Sequence, residues 1–499
     1  MPLRASPDPV ALHARLQPDR PACTDLATGR HWTYAALHTA IQRMATVLAT
    51  RLGLSAGQRV AVLARNSADL VILQQACLRR GLIFVPLNWR LSRPELEAIL
   101  ADCEPSLLVH DSDEGAIPLP DGRTLPLAEL VAWAEDSPPA DPAPLPDAGA
   151  PSIILYTSGT SGRPKGVIIT EANAMATAVN FGVLGRVSHR SVFLCDSPMF
   201  HVIGLITSFR APLLAGGSML ISSGFDPAAT NDRLGDPALG ATHYFCVPQM
   251  AKRLREQANF DPGRWRTLTA LFTGGAPNPA ADIRWWLEQG VPMVDGFGMT
   301  EAGTVLGMPI EPGLIAAKAG AAGLPAPMIE CRLVDEAGRD VPAGEAGELL
   351  LSGPSITPGY WNRPEETRRA FTGDGWFRTG DIGRRDADGY VTLVDRRKDM
   401  FISGGENVYP AEVEIALGEH PDVQDVAVLG VADATWGEVG RAFIVPRAGR
   451  GEIPAQSLIA HCESRLARYK IPKEFIVVES LPRTASGKLQ KHVLRRDAG

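Results

Sequence analysis

The apolar run SIILY at residues 152–156 leads without interruption into TSGTSGRPKGV at 157–167. A strand that empties into such a loop constrains the fold strongly. Gly159, Gly162 and Gly166 let main-chain N–H groups come close to phosphate oxygens, and Thr157, Ser158, Thr160 and Ser161 add hydroxyl donors. The spacing is not that of the common nucleotide loop, because Lys165 follows Pro164 and is itself followed by Gly166. A flexible glycine-serine surface loop has the same composition, so the loop alone leaves its ligand open.

The flanking sequence supplies the layers that such a loop needs. TYAALHTAIQRMATVLATRLGL opens on a capping Thr33 and sets Leu37, Ile41, Met44, Leu48 and Leu52 at helical spacing. RVAVL from Arg59, a helical stretch after Ser67 and IFVPL from Ile83 then alternate strand, helix and strand, which implies parallel α/β layers. Residues 137–149, SPPADPAPLPDAG, are expected to run exposed and unstructured. Beyond residue 330, CRLVD, GELLLSG and YVTLV read as short strands of a small β-subdomain. After Asp395, PAEVEIALGEHPDV and SLIAHCESRLARY read as helices, with DVAVLGV and RAFIVP as strands between them. The fold class is therefore α/β, with a large N-terminal domain of several subdomains (residues 1–395) and a small α+β C-terminal domain (396–499).

Some functions are disfavoured by charge and hydropathy. A formal net charge of -7 gives no general attraction to nucleic acid or to an anionic membrane. No run approaches the roughly 18 to 20 apolar residues that span a bilayer, and the N-terminal MPLRASPDPVALHARL has no sustained apolar core. A cytoplasmic location is expected. The seven cysteines are scattered, odd in number and without a C-x-x-C pair, so they are expected to be reduced thiols, mostly in the core.

Further strings follow the loop in order: PMFHVIG with His201, FTGGAP at 272–277, DGFGMTEAG at 295–303, WFRTGDIG with Asp381, VDRRKDMFISGGENVYPAEVE with Arg396 and Lys398, DATWGE with Trp436, and PRTASGKLQK with Lys488. Each has an ordinary reading when taken alone. His201 beside apolar neighbours fits a core histidine, Phe297 a core aromatic, Asp381 a turn residue, and Lys398 and Lys488 solvated charges. Together, across nearly the whole chain, they resemble the adenylate-forming enzymes, the superfamily of acyl-CoA synthetases, luciferases and peptide-synthetase adenylation domains.

The resemblance implies a role for each position. The loop (Thr157, Ser158, Gly159, Thr160, Ser161, Gly162, Lys165) would hold the leaving pyrophosphate of ATP, with Lys165 as a mobile loop charge. Gly274, Gly275, Ala276, Asp295, Phe297 and Gly298 would lie on the adenine side, with Phe297 stacked on the base. Thr300 would meet phosphate, and Glu301, with Thr160, would hold Mg2+. Asp381 would take both ribose hydroxyls and Arg396 would contact the nucleotide. Lys488 is the implied catalytic lysine, and Lys398 the hinge about which a mobile C-terminal domain turns. Ser403, Gly404 and Gly405 would line a pantetheine tunnel, with Trp436 beside it. His201, Val202, Ile203, Gly204, Gly298 and Gly303 would form the acyl pocket.

The activity implied is an acyl-CoA ligase using ATP, Mg2+ and coenzyme A, with a hydrophobic monocarboxylic acid, fatty or aryl, as substrate. Val202, Ile203, Ile206 and the run Gly303 to Leu306 are small or apolar, which favours an uncharged acyl group. Malonate-type acids call for an arginine near Gly-Met-Thr-Glu, and VDGFGMTEAG has none. A stand-alone enzyme that loads a carrier protein shares these motifs. A non-catalytic sensor would be expected to have lost Lys488, Glu301 or Asp381, and all three are present. A homodimer is compatible with this reading.

Overall fold

The structure is a computed structural model. It describes residues 6–112, 117–120, 122–139, 145–157, 164–275, 278–396, 399–403, 406–433, 436–449, 453–463, 465–466, 468–483 and 489–497. The expected alternation of strands and helices produces two large sheets, followed by two smaller ones.

The first large sheet has six strands in the order Arg123–Pro126, Leu107–His110, Arg59–Leu63, Ile83–Pro86, Pro151–Thr157 and Lys165–Thr170. It is parallel up to its last pair, which is an antiparallel hairpin. The second has nine strands, and its central run from Met293–Met299 to Pro21–Asp25 is parallel. An N-terminal strand, Pro21–Asp25, thus pairs with Ser218–Ile221, nearly two hundred residues away. Glu330–Val334, Ala346–Ser352, Phe377–Arg385 and Val391–Arg396 make an antiparallel four-stranded sheet. The C-terminal sheet of five strands is built on the long antiparallel pair Val423–Asp433 and Gly437–Pro446.

Local signals set the helix ends. Ser67 Oγ accepts from the Leu70 N–H at 3.3 Å to start Ala68–Arg80, and Gly81 closes that helix in the left-handed region at φ +65°. Leu37, Ile41, Met44, Leu48 and Leu52 are all buried, as their spacing predicts, although Val47–Arg51 forms a π-helical turn after helix Tyr34–Thr46. The helix that follows the loop hairpin, Glu171–Leu184, opens on a reciprocal cap between Thr170 and Asn173. Its first residue is buried: Glu171 accepts from Arg210 at 2.7 Å and from Ser152 at 2.5 Å.

The 137–149 stretch differs in its last part from the exposed course expected of it. Ala148 is fully buried, its carbonyl accepts from the Ala172 N–H at 2.9 Å, and the Pro146 carbonyl accepts from Ser6 at 2.8 Å. Proline and alanine there satisfy a packing demand that composition does not reveal. The cysteines are free thiols, six of them buried and Cys331 half-buried. Among the described residues, no helix is long and apolar enough to cross a membrane.

Candidate active site

The strand Pro151–Thr157 ends the apolar run, and its antiparallel partner places Thr157 opposite Lys165. Ser158, Gly159, Thr160, Ser161 and Gly162 lie outside the described residues, as do Ala276, Lys398, Gly404, Gly405 and Lys488. The base of the hairpin is held from the segment 357–361. The Trp361 N–H donates to the Gly166 carbonyl at 2.7 Å, and Ile168 donates to Gly359 at 3.0 Å. Lys165 is ion-paired with Glu366 and sits 5.6 Å from the centroid of the Tyr360 ring, so it is tethered at the hairpin base.

Tyr360 connects this hairpin to a second motif. Its hydroxyl donates to Glu301 Oε1 at 3.0 Å, and the Thr357 N–H donates to the Glu301 carbonyl at 2.7 Å. Burial, followed by the nearby Glu301 carboxylate, pushes the Tyr360 phenol up, so it remains a neutral donor. Neither Tyr360 nor Glu366 was legible as a site residue. Their sequence surroundings, TPGYW and RPEET, carry no signal of chemistry.

Strand Met293–Met299 brings Asp295, Phe297 and Gly298 to a tight turn carrying Thr300 and Glu301, and the chain returns through Gly303–Gly307. The turn admits no side chain at its closing positions. A Cβ on Gly298 would lie 2.4 Å from the Gly303 carbonyl oxygen, and Gly303 has φ +65° with Thr177 Oγ1 2.0 Å from where its Cβ would be. Beneath the turn is a cavity of about 10 Å³, lined among others by Asn173, Thr177, Val202, Thr300, Glu301 and Ser355. It joins residues of the PMFHVIG and DGFGMTEAG strings to helix Glu171–Leu184 and the segment 355–357. Ser355 Oγ faces it without a partner among the described residues.

Asp295 is buried in register with Thr273, whose hydroxyl donates to Asp295 Oδ1 at 3.1 Å and accepts from Asn278 at the same distance. Burial pushes the Asp295 carboxyl up to about 7. Gly274 and Gly275 follow Thr273 directly, so the FTGGAP and DGFGMTEAG strings meet on neighbouring strands.

His201 begins the turn that leads into the π-helical Ile203–Thr207, with Val202, Ile203 and Gly204 following. Its Nε2 is cut off from solvent and has no partner among the described residues. Burial, with a smaller effect from Arg90, pushes its imidazole down to about 4, so the ring is neutral. Phe200 packs against it with centroids 4.6 Å apart.

Asp381 is buried on strand Phe377–Arg385, where it is directly opposite Arg396 on the next strand. Two positions that the family resemblance places at the nucleotide are thus cross-strand neighbours. In the C-terminal sheet, Ser403 is buried and pairs with Gly437, the residue after Trp436. Trp436 is 48% exposed and its N–H donates to Asp433 Oδ1 at 2.8 Å, so it is not core packing.

Residues 10–361 match the family described as AMP-binding enzyme, and residues 412–488 match the AMP-binding enzyme C-terminal domain. A feruloyl-CoA synthase from Amycolatopsis sp is 40% identical over 475 residues, covering 94% of this chain and 95% of the relative. An indoleacetate–CoA ligase from Aromatoleum aromaticum is 36% identical over 500 residues, covering 97% and 96%. Among solved structures, the o-succinylbenzoate CoA synthetase of Bacillus subtilis with its acyl-adenylate superimposes with a TM-score of 0.88 at 31% identity, covering 99% of each chain.

Proposed function

The chain belongs to the AMP-binding enzyme family and is an acid–thiol ligase that makes an acyl-CoA through an acyl-adenylate; we propose that its acid is a hydrophobic aryl monocarboxylate. The observation that carries the aryl reading is the pair of relatives named for feruloyl and indoleacetate substrates, each matched over at least 94% of this chain. The cavity lining of Val202, Ile206 and Gly303, apolar or small, is consistent with an uncharged acyl group.

A carboxylate is a poor electrophile, so the acid is activated first. One of its oxygens bonds to the α-phosphorus of ATP while the bond to pyrophosphate breaks. The CoA thiol then bonds to the acyl carbon, losing its proton, and AMP leaves with the bonding pair. The first step brings two anions together and requires positive charge. A lysine about 4 Å from a phosphate oxygen at an effective dielectric near 20 contributes up to about 4 kcal/mol, or roughly three decades in rate. We assign that charge to Lys488, with Thr300 and the hydroxyls of 157–161 orienting the pyrophosphate and His201 closing the acyl pocket as a neutral ring.

Glu301 suits magnesium. It is a hard carboxylate, half-buried, with Oε1 ordered by Tyr360. When bound with ATP, the ion neutralises triphosphate charge. Asp381 would accept from the ribose hydroxyls, and Phe297 would stack on adenine. The domain reading, 1–395 and 396–499 with a hinge at Lys398, would let the second step expose Ser403 and Trp436 to pantetheine.

A panel of aryl and aliphatic acids with ATP and magnesium, with and without CoA, tests the substrate when pyrophosphate and thioester are recorded separately. Aryl acids should give both products. Pyrophosphate release with no thioester would favour a carrier-protein acceptor, and preference for long aliphatic acids would overturn the aryl reading. Lys488→Ala should abolish carboxylate-dependent ATP–pyrophosphate exchange while leaving thioester formation from supplied acyl-adenylate largely intact.

A further inference from the structure

A second, far larger cavity lies on another part of the N-terminal region. It measures about 540 Å³, within the few-hundred-Å³ range typical of small-molecule sites, and shares no lining residue with the cavity beneath Glu301. It lies between helix Tyr34–Thr46, helix Leu127–Glu135 and strand His31–Thr33. The space exists because the facing helix positions are small. Ala36, Ala40 and Ala134 stand where larger side chains would fill the space between the two helices.

Its lining is mixed: the alanines, Met44, Ile72 and Val131 are apolar, and Arg30, Arg43, Asp69 and Glu135 stand among them. The two arginines are in different situations. Arg30 is satisfied: it is ion-paired with Asp69 and lies 5.0 Å from the Trp32 ring centroid. Arg43 has no ion pair among the described residues. Its one hydrogen bond there is a long one, 3.4 Å to the Glu135 carbonyl, and its Nε is cut off from solvent without an acceptor. Because Nε is closed off and Nη1 is engaged, Nη2, which has no acceptor among the described residues, is the donor left for a carboxylate or similar anion.

We propose that this cavity is a second ligand site, separate from the catalytic one, for a small organic monoanion that places a carboxylate on Arg43 and an apolar body one or two rings in size against the alanines. The enzyme's own acid has this chemistry, as do other hydrophobic carboxylates. Occupancy would brace the helix Tyr34–Thr46 against Leu127–Glu135.

The test uses the full chain with its active site blocked by an acyl-sulfamoyl-adenosine, the block being verified by loss of pyrophosphate exchange. Calorimetric titration with 3-phenylpropanoate should show one saturable site per chain, and 3-phenylpropanamide should bind at least about tenfold more weakly. Arg43→Gln should weaken the acid by about tenfold, and Ala40→Trp, which fills the cavity, should remove binding. Both variants should keep unblocked exchange within about twofold of the parent, which separates failure of the site from failure of the enzyme. Absence of saturable binding to the blocked enzyme, or binding that both variants leave unchanged, overturns the proposal. Repeating the titration with one acid the enzyme activates and one it does not tells whether a saturating ligand is substrate or a foreign acid.

Discussion

Gly303→Ala makes the sharpest quantitative demand on the proposed site. The new Cβ would fall 2.0 Å from Thr177 Oγ1, 2.6 Å from its Cγ2 and 2.8 Å from its Cβ. Ordinary contact begins near 3.4 Å, so the turn or the helix must retreat by about 1.4 Å. The left-handed backbone at φ +65° adds about 1–2 kcal/mol of strain for a residue with a Cβ. The turn that would move carries Thr300 and Glu301. Misplacing reacting groups by about 1 Å costs on the order of 100-fold in rate, or about 2.7 kcal/mol. We therefore expect kcat/KM for carboxylate-dependent ATP–pyrophosphate exchange to fall about 100-fold or more. Adding Thr177→Ala removes the two nearest atoms and leaves only the 2.8 Å contact, an overlap of about 0.6 Å. The double variant should recover about tenfold, whereas Thr177→Ala alone should stay within about threefold of the parent. Circular dichroism at the assay temperature separates misplacement from unfolding. A double variant as slow as Gly303→Ala, or Gly303→Ala itself within twofold of the parent, would refute the steric account.

Three further outcomes follow from other contacts. Tyr360→Phe deletes the 3.0 Å bond to Glu301, so half-saturation by magnesium in the exchange assay should move to about tenfold higher concentration, and an unchanged magnesium curve would reduce Tyr360 to packing. Arg210→Ala strands the buried Glu171 carboxylate and should cost about 3–5 kcal/mol, seen as a lower urea midpoint; a similar loss in Arg210→Met/Glu171→Leu would show that volume rather than charge matters. The third is pH dependence, in which two effects have opposite sign. His201 and His243 are pushed down to about 4 by burial, so the native chain binds fewer protons than the unfolded one between about 6.5 and 4. Their contribution is present above that window and lost as pH falls through it. Asp295 is pushed up to about 7 from its ordinary 3.8, so its contribution is present below 3.8 and lost as pH rises toward 7. Asp295→Asn should therefore gain stability over the parent more at pH 8 than at pH 5, and an equal difference at both pH values would contradict the assignment.

The parts of the fold and site that could be read from sequence were those governed by neighbours along the chain. RVAVL, IFVPL and GELLLSG became strands, and Ser67 and Thr33 became helix caps, because hydrophobic period and cap chemistry act within a few residues. The pairing of Pro21–Asp25 with Ser218–Ile221 could not be read this way, since nothing local distinguishes which distant strand a short apolar run will join. The same limit applies to the site. Glu301 and Asp381 stand in dense, unusual strings. Tyr360, Thr177 and Glu366 act through space on those strings from segments of ordinary composition, and only folding makes them neighbours.

The register that sets Asp381 across from Arg396 has a mechanical consequence. If the C-terminal domain turns about Lys398, the fulcrum lies two residues beyond a strand already fastened beside Asp381, the proposed ribose contact. A load held next to the pivot hardly moves when the far end of the lever swings. Lys488, ninety residues further on, could then sweep a long arc between the two half-reactions while the nucleotide stays seated. The same short arm would let an empty ribose position change how freely the lever starts to turn.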